Sequence, residues 1–479
     1  MSTAVQTGAR LFIGGAWVKT DCTHSVRSPW DERIVAEVAW GDSSHAEQAV
    51  HAAQEAMGSP LPAHRRAQIL EDVAQRLRER KSDFAKIIVA ECGKPISAAG
   101  FEVDRAVQTL IFSAAAARTM TGQTLNLDAH PAGEGRLAVV LRFPIGVVAA
   151  ITPFNFPLNL AAHKIGPALA AGCACILKPA DKAPSCGFLL AELFADAGLP
   201  AGWLNVVLGD AEKMADIFAR DDRVKAISFT GSAEVGWKLR ARAATKKVLL
   251  ELGNSTPVIV LQDADVEQAA SAIVAHGFGF AGQTCISVQR VYAAAPICQA
   301  LTDKLLQKIE GLKIGDPSAP ETQVGPLITP ESRDRVLKWI KEAADQGAVI
   351  VTGGVAEGNA IKPTLLTNVS PEMAVSCREI FGPVVALSPV SGLKEAIQLA
   401  NLTGYGLHAG IFTSNVNAAL EAATHLEFGG VTINESPSYR ADQMPYGGIK
   451  NSGNTREGPM YAIEELTERR LIVFRMPPV

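Results

Sequence analysis

The stretch that decides the fold is residues 146–181, GVVAAITPFNFPLNLAAHKIGPALAAGCACILKPAD. Two short apolar runs, residues 146–151 and 173–178, flank a helical stretch over residues 159–172. Apolar runs of this length that alternate with helices are typical of parallel strands buried between helical layers. Such sheets bind ligands at the carboxyl ends of their strands. The stretch therefore predicts an α/β fold and draws attention to the residues that follow each strand.

The same alternation extends along the chain. Between residues 144 and 251, five apolar runs alternate with four helical stretches, and a second alternating series follows Glu251. A chain of 479 residues is too long for one core, so two or three domains are expected. A change of domain near residue 252 is the simplest interpretation.

The flanking segments give more local predictions. Helical spacing predicts a helix capped by Ser44, a second over residues 63–91 and a third over residues 102–119. Residues 123–142 predict an extended segment interrupted by turns. The tail LIVFRMPP (471–478) predicts a strand that pairs with another strand, plausibly at the edge of another subunit.

Composition excludes several function classes. A hydrophobic content of 48% with 20% charged residues is ordinary for a soluble globular protein. The net charge of −4 gives no electrostatic reason to expect nucleic acid or an anionic membrane as a partner. We see neither a membrane-length apolar run nor a signal peptide, and no metal-binding motif. Eight cysteines without regular spacing indicate a reducing compartment, so we expect a cytoplasmic protein.

A glycine pattern precedes one notable cysteine. Gly277-x-Gly279-x-x-Gly282 spells a dinucleotide-binding fingerprint, but that fingerprint should follow a strand and open a helix. Here it ends an apparent helix that begins near Asp265, so the glycines are expected to terminate that helix. Cys285 follows, and its own neighbourhood leaves two readings open: a nucleophile or a buried thiol.

Two other segments suit a nucleotide better. Residues 228–236 follow an apolar run and open a helix, where Gly231 frees backbone N–H groups and Ser232 can cap. The alternative is an ordinary strand-to-helix turn. Lys178 ends an apolar run and could bind a ribose, while Asp181 could chelate ribose hydroxyls or repel a 2′-phosphate. For these two residues the alternative is a solvated strand end.

Three further side chains are candidates for acid–base or oxyanion chemistry. Asn155 lies in an apolar loop, where its amide could donate to a developing oxyanion, although asparagine in such turns is more often structural. Glu251 ends the fifth apolar run and suits a general base if burial raises its pKa; otherwise it is a capping acid. The segment EIFGP, residues 379–383, adds a carboxylate and an aromatic ring.

Taken in order, these motifs resemble the aldehyde dehydrogenase superfamily across essentially the whole chain. The motifs that carry the resemblance are PFNFP (153–157), LKPA (177–180), FTGS (229–232), ELGN (251–254), GQTC (282–285), EIFGP (379–383) and PYGGIKNSGNTREG (445–458). The resemblance implies that Cys285 is the nucleophile, Glu251 the general base and Asn155 the oxyanion donor. It implies oxidation of an aldehyde through a thiohemiacetal and a thioester, with NAD or NADP as cofactor.

The resemblance also implies a set of cofactor-binding residues: Ile151, Thr152, Pro153, Phe154, Lys178, Ala180, Asp181, Gly209, Phe229, Gly231, Ser232, Leu252, Glu379 and Phe381. Where Asp181 stands, the family often has glutamate, and this position is associated with a preference for NAD. The shorter aspartate keeps the negative charge, so NAD is favoured over NADP.

Substrate recognition is expected from Arg105, Arg440 and Thr284. Arg440 lies in the loop that lines the substrate entrance in related enzymes, and Arg105 lies on a helix near that tunnel. Arginines at these two positions resemble those of family branches that oxidise small anionic or hydroxylated aldehydes. The alternative is that both arginines form structural salt bridges. Two rival functions are a coenzyme A-acylating dehydrogenase, which generally lacks the base at Glu251, and a non-enzymatic binding or structural role.

The family's fold implies three parts. Residues 1–122 and 143–252 would form a Rossmann-like cofactor-binding domain, and residues 253–455 an α/β catalytic domain. Residues 123–142 and 456–479 would form a small β element for oligomerisation. The family assembles by pairing such strands, so a homodimer or homotetramer is expected.

Overall fold

The structure, a computed structural model, describes residues 10–477. Residues 1–9, at the N-terminus where we expect no signal peptide, and residues 478–479, at the end of the predicted tail strand, lie outside the described residues. Within residues 10–477, no helix is both long and apolar enough to cross a membrane.

The first half of the chain contains two hairpins, a helical layer and an alternating series. Its elements are β1 (Arg10–Ile13), β2 (Ala16–Lys19), β3 (Cys22–Arg27), β4 (Ile34–Trp40), α1 (Ser43–Ala56), α2 (Ala63–Glu79), α3 (Lys81–Cys92), α4 (Ile96–Thr119), β5 (Gln123–Leu125), β6 (Arg136–Pro144), β7 (Val147–Ile151), α5 (Asn159–Ala171), β8 (Cys175–Lys178), α6 (Ser185–Asp196), β9 (Leu204–Val206), α7 (Ala211–Arg220), β10 (Val224–Thr230), α8 (Ala233–Arg242) and β11 (Lys247–Glu251). The five predicted strands and four predicted helices of the alternating series are confirmed as β7–β11 and α5–α8.

The second half repeats the α/β pattern. Its elements are β12 (Thr256–Val260), α9 (Val266–Phe278), β13 (Val288–Ala294), α10 (Ala295–Glu310), α11 (Pro330–Asp345), β14 (Val349–Thr352), β15 (Ala356–Glu357), β16 (Ala360–Ile361), β17 (Thr364–Thr367), α12 (Ala374–Cys377), β18 (Val384–Val390), α13 (Leu393–Asn401), β19 (His408–Phe412), α14 (Val416–His425), β20 (Gly430–Ile433), α15 (Pro459–Glu465) and β21 (Thr467–Arg475).

Two seven-stranded sheets form the framework. The first has the order β11-β10-β7-β8-β9-β1-β2, in which β7–β11 run parallel. The second has the order β14-β17-β18-β13-β12-β19-β20, parallel except for β14. β7 is buried along its whole length, as is α5 beside it. Helices thus cover these parallel strands, as the apolar runs predict.

Small residues allow the helices to pack closely. A Cβ atom on Gly166 of α5 would lie 2.6 Å from Oγ of Ser113 on α4, so only glycine fits at this helix crossing. The loop between β7 and α5 carries Asn155, whose side chain reaches the carbonyl of Gln283 in the turn before β13.

Three local predictions need correction. Asp42 rather than Ser44 caps α1, because its carboxylate accepts hydrogen bonds from two backbone N–H groups of the first turn. The stretch 63–91 forms two helices, since the chain bends at Arg80, which ends α2 and precedes α3. The third predicted helix begins at Ile96, before residue 102.

The tail strand finds its partner within the chain. β21 pairs antiparallel with β6 in a three-stranded sheet of order β21-β6-β5, with Leu471 opposite Val140. This confirms the prediction that the tail pairs with a strand, and it places β21 at the edge of the sheet.

Residues 445–458 connect the two halves at the site. Gly453 forms an antiparallel bridge with Glu251, and the backbone N–H of Leu252 donates to the carbonyl of Ser452 at 3.0 Å. The side chain of Asn454 accepts from the N–H of Leu250 at 2.8 Å. This segment, although late in the sequence, is therefore attached to the end of the first sheet.

Candidate active site

A cavity of about 780 Å³ lies between the carboxyl ends of strands of the first sheet and the amino ends of β12, β13 and β18 of the second. The loop after β7, the end of β11 and the turn before β13 all contribute to its wall. The sequence-predicted residues that line it are Arg105, Pro153, Phe154, Asn155, Gly231, Ser232, Glu251, Leu252, Thr284, Cys285, Glu379, Phe381 and Arg440.

The remaining predicted residues lie outside this cavity. They occupy positions at or just after the ends of β7, β8, β9 and β10, on the same edge of the first sheet: Ile151, Thr152, Lys178, Ala180, Asp181, Gly209 and Phe229. An extended ligand could therefore contact this edge and reach the cavity.

The glycine pattern terminates α9, as predicted, and it presents Cys285. A 3₁₀ turn follows the helix, with positive φ angles of 51° at Phe280, 52° at Ala281 and 69° at Gly282. A Cβ atom on Gly282 would lie 2.2 Å from the carbonyl oxygen of Gly382, so glycine is required there.

Cys285 is half-buried in the cavity wall, with its Sγ 2.7 Å from the hydroxyl of Tyr446. Burial raises the pKa of the thiol to about 12. The hydrogen bond with Tyr446 and the charge of Arg440 act in the opposite direction, towards the thiolate. Sequence reasoning did not single out Tyr446, although it belongs to the PYGG segment that was recognised as a motif.

Glu251 is a buried carboxyl group, 3% exposed, and neither of its oxygens has a hydrogen-bond partner in the described part of the chain. Burial, and then the nearby charge of Glu457, raise its pKa well above the usual value. A Cβ atom on Gly447 would lie 2.7 Å from Oε1 of Glu251. A buried polar group left without a partner is costly, and such groups are common at reactive sites.

Asn155 is buried and joins the loop after β7 to the cysteine turn. Its Nδ2 donates to the carbonyl of Gln283 at 3.0 Å, two residues before Cys285. Because an amide nitrogen carries two hydrogens, the second remains available to another acceptor. The arrangement fixes the amide beside the nucleophile candidate.

Glu379 and Phe381 frame another part of the cavity. Glu379 accepts a hydrogen bond from the N–H of Asn254 at 3.1 Å, and burial raises its pKa to about 7. Phe381 has a φ of 48°, a strained backbone angle for a bulky residue. Its ring meets that of Phe154 edge-on, with 6.0 Å between centroids.

Both arginine candidates are ion-paired and still border the cavity. Arg105 pairs with Asp442 at 2.8 Å, and Arg440 pairs with Glu457 at 2.9 Å. The guanidinium of Arg440 also lies 3.8 Å from the ring centre of Tyr446. Both arginines therefore form the salt bridges that were the alternative interpretation of the sequence, and both also border the cavity as predicted.

Behind these arginines lies a buried polar cluster that sequence reasoning missed. His163 contacts Asp442 at 2.9 Å, and Lys164 contacts Glu457 at 3.4 Å and Ser228 at 3.0 Å. The available signal was the pair His163–Lys164, which interrupts an otherwise apolar helix. Polar side chains buried in such a helix must find polar partners.

The edge of the first sheet fits a nucleotide cofactor. Thr152 and Thr230 each bury a hydroxyl that has no partner among residues 10–477. Ser232 caps α8 by accepting from the N–H of Val235 at 3.4 Å, so a helix N-terminus faces this edge. Lys178 is buried there, which lowers its pKa. Within residues 10–477 no cluster of metal-ligating side chains occurs.

Comparisons with known proteins point to one family. The profile of the aldehyde dehydrogenase family matches residues 17–472. The 3-sulfolactaldehyde dehydrogenase of Priestia aryabhattai is 42% identical over 466 residues, covering 97% of this chain and 98% of the relative. The lactaldehyde dehydrogenase of Methanococcus maripaludis is 38% identical over 470 residues, covering 97% and 99%.

Solved structures agree with this family. A glyceraldehyde-3-phosphate dehydrogenase from Methanocaldococcus jannaschii, complexed with NADP, has a TM-score of 0.91 and 36% identity, covering 95% of this chain and 100% of its own. An NAD-dependent aldehyde dehydrogenase from Sinorhizobium meliloti has a TM-score of 0.95 and 32% identity, covering 98% and 95%.

Proposed function

The chain belongs to the aldehyde dehydrogenase family, and from that premise we propose how its residues perform the reaction. It is an NAD(P)-dependent aldehyde dehydrogenase that oxidises an aldehyde to a carboxylic acid. The observation that carries the residue assignment is that Cys285, Glu251 and Asn155 line one cavity. A nucleophile, a buried base and an amide donor are what acyl chemistry at a carbonyl requires.

In the first step, the thiolate of Cys285 attacks the aldehyde carbon, and the carbonyl electron pair moves to oxygen. The amide of Asn155 and the backbone N–H of Cys285 hold this oxyanion. A bound nicotinamide would supply the hydride acceptor. The electron pair of the oxyanion would reform the carbonyl, and loss of the hydride would leave the substrate carbon at the acyl level, as a thioester. Glu251 then takes a proton from water, which attacks the thioester and releases acid and thiol. The balance is aldehyde, oxidised cofactor and water giving acid, reduced cofactor and a proton.

An experiment can distinguish an enzyme that uses Glu251 as a general base for water from an enzyme that transfers the acyl group to coenzyme A. A coenzyme A-acylating enzyme needs no general base for water, whereas Glu251 is buried at the cavity with a raised pKa. We expect that adding coenzyme A yields no acyl-CoA and leaves acid as the product. Turnover retained by Cys285→Ser would contradict the nucleophile and favour a role that does not use this thiol.

For the cofactor, we propose that the residues at the carboxyl ends of β7, β8 and β10 hold the nucleotide, together with Glu379 and Phe381 across the cavity. Lys178 would bind the ribose, and the N-terminus of α8 would bind the diphosphate. Asp181, half-buried three residues after Lys178, supports NAD because its carboxylate would repel a 2′-phosphate.

For the substrate, we propose a small α-hydroxy aldehyde that bears an anionic group. In the polar cluster at one end of the cavity, three cationic side chains, Arg105, Arg440 and Lys164, pair with two carboxylates, Asp442 and Glu457. When Glu251 is protonated, this cluster carries one more positive charge than negative charge. Guanidinium groups bind sulfonate, carboxylate and phosphate oxygens well.

A relative that acts on 3-sulfolactaldehyde supports this substrate class, and a relative that acts on lactaldehyde supports the uncharged alternative. The test is a panel of 3-sulfolactaldehyde, glyceraldehyde 3-phosphate, succinic semialdehyde and lactaldehyde, each with NAD and NADP. We expect the highest kcat/KM with an anionic hydroxyaldehyde and NAD. A preference for lactaldehyde over every anionic member would contradict the proposal.

We also propose the three-part division expected from the sequence and assembly through β21. This edge strand exposes the side chains of Leu471, Val473 and Phe474, which a second subunit could cover. Light scattering on the purified protein should give a dimer or tetramer mass. All eight cysteines are free thiols, which supports a reducing compartment such as the cytoplasm.

A further inference from the structure

Tyr446 is held rigidly beside the proposed nucleophile. Its side chain is buried, and its backbone pairs with that of Glu457 through hydrogen bonds of 3.0 and 2.6 Å. The ring lies 3.8 Å from the guanidinium carbon of Arg440 and 4.9 Å from the ring centre of His408. Packing on both sides thus fixes the direction of the hydroxyl.

That hydroxyl has a single hydrogen-bond partner in the described chain, the Sγ of Cys285 at 2.7 Å. A phenol carries one hydrogen, and a buried phenol without an acceptor is costly. If the thiol were the donor, the hydrogen of Tyr446 would have no acceptor. The geometry therefore favours donation from the phenol to the sulfur.

The ring of Tyr446 lies beside an ion pair whose two members remain charged. Burial opposes ionisation of Glu457, but Lys164 and Arg440 hold its pKa at about 2, so it pairs with Arg440 as a carboxylate. Burial, and then Cys285, raise the pKa of Tyr446 well above its usual value, so the phenol keeps its proton. A protonated phenol is the form that can donate.

We propose that Tyr446 is a positioning residue for catalysis, whose phenol donates a hydrogen bond to the Cys285 sulfur and stabilises its thiolate before substrate arrives. This role rests on the proposed nucleophile. As the sulfur attacks the aldehyde, its negative charge passes to the carbonyl oxygen, and the resulting thioether sulfur is a weak acceptor. The hydrogen bond is thus strongest in the free enzyme and sets how much thiolate is present.

Four groups influence the thiol from the elements packed around it. Tyr446 and Arg440 favour the thiolate, whereas Glu379 and Glu251 disfavour it when ionised. Burial outweighs the two favourable groups and raises the pKa of Cys285 to about 12, so the loss of either group would lower the amount of thiolate further.

The test is Tyr446→Phe, which keeps the ring against Arg440 and removes only the hydroxyl. Alkylation of Cys285 by iodoacetamide is followed against pH in the full-length protein, without substrate or cofactor, by mass spectrometry of the Cys285 peptide. Loss of one hydrogen bond to a charged group corresponds to a rise in the apparent pKa of the thiol of roughly one to two units, which is measured as a change in alkylation rate at neutral to mildly alkaline pH. Below that pKa, alkylation should slow by about 3- to 15-fold, since the more basic thiolate is also more nucleophilic.

The matched control is Tyr292→Phe, because that hydroxyl is also buried but contacts Arg290 and the carbonyl of Leu399. Its alkylation profile should equal that of the parent protein. Unchanged or faster alkylation of Cys285 in Tyr446→Phe would overturn the proposal, since faster alkylation would mean that the thiol donates.

A second measurement avoids any loss of fold. Replacing all five tyrosines biosynthetically by 3-fluorotyrosine makes each phenol a stronger donor, so the thiol pKa should fall. This fall should disappear in Tyr446→Phe, and a rise in the fluorinated parent would also overturn the proposal. Turnover of Cys285→Ala separately tests the nucleophile: activity there would refute the proposed function while the alkylation result stands.

Discussion

Replacing Glu251 with glutamine tests the general base while it preserves the size of the side chain. Glu251 is buried at the end of β11, and neither carboxyl oxygen has a partner in the described residues. Burial, and then Glu457, raise its pKa well above the usual value, so the site accommodates an uncharged side chain of the same shape. We therefore expect Glu251→Gln to fold and to form the thioester, but not to hydrolyse it efficiently.

The magnitude follows from the step that is lost. General-base catalysis typically contributes about 10²- to 10⁴-fold, so kcat should fall by that factor, or about 3–5 kcal/mol in activation free energy. Rapid mixing should show a burst of reduced cofactor equal to the number of sites, followed by slow turnover. The control is Glu91→Gln, a buried carboxyl bonded to Ser185 outside the cavity, whose pKa burial raises to about 7. Its kcat should not change.

The same substitution has a predictable effect on stability. A carboxyl whose pKa is raised in the folded state favours folding when protonated, and this contribution is lost as pH rises above the unfolded value of about 4.5. Glu251→Gln lacks that loss. Its free energy of unfolding should therefore increase relative to that of the parent as the pH rises above about 4.5. An unchanged steady-state rate, or a burst that falls as far as kcat, would refute the reasoning for Glu251.

Three further predictions concern the cofactor, the cysteine turn and the substrate. Asp181→Ser should raise kcat/KM with NADP relative to NAD by about tenfold, because a repelling carboxylate is removed; a constant ratio would contradict this. Gly282→Ala should lower the Tm by several degrees, since its Cβ would lie 2.2 Å from the oxygen of Gly382 and strain at positive φ costs about 1–3 kcal/mol. Arg105→Ala should leave Asp442 unbalanced and raise KM about tenfold for anionic aldehydes only; an equal rise for neutral aldehydes would argue against it.

The parallel framework could be predicted because its strands are buried on both sides. The runs that became β7–β11 are short and apolar, and the first four of them are each followed by a helix. Helix ends were harder to predict. Asp42 and Ser44 are both good caps, and the choice depended on which backbone N–H groups each side chain could reach. The bend at Arg80 leaves no mark in an apolar periodicity that continues through it.

The site likewise contains residues that the sequence could predict and residues that it could not. Residues at strand ends, such as Glu251 and Lys178, could be proposed from the pattern alone, since the fold brings those ends together. The partners of Arg440 could not, because Glu457 and Tyr446 reach it through a loop of irregular structure. Contacts between distant loops depend on the whole fold and leave no local periodicity.

The attachment of residues 445–458 to β11 makes the enzyme difficult to divide. A cut near residue 252 would separate Glu251 from Cys285, and it would also break the hydrogen bonds that Leu252 and Leu250 make with Ser452 and Asn454. Neither fragment would contain all the residues of the proposed reaction centre. A chimaera that joins the first half to the second half of another protein would therefore also need a segment that can bond to β11 as residues 445–458 do. For an engineer who exchanges substrate loops, residues 445–458 belong with the first sheet, however late they are encoded.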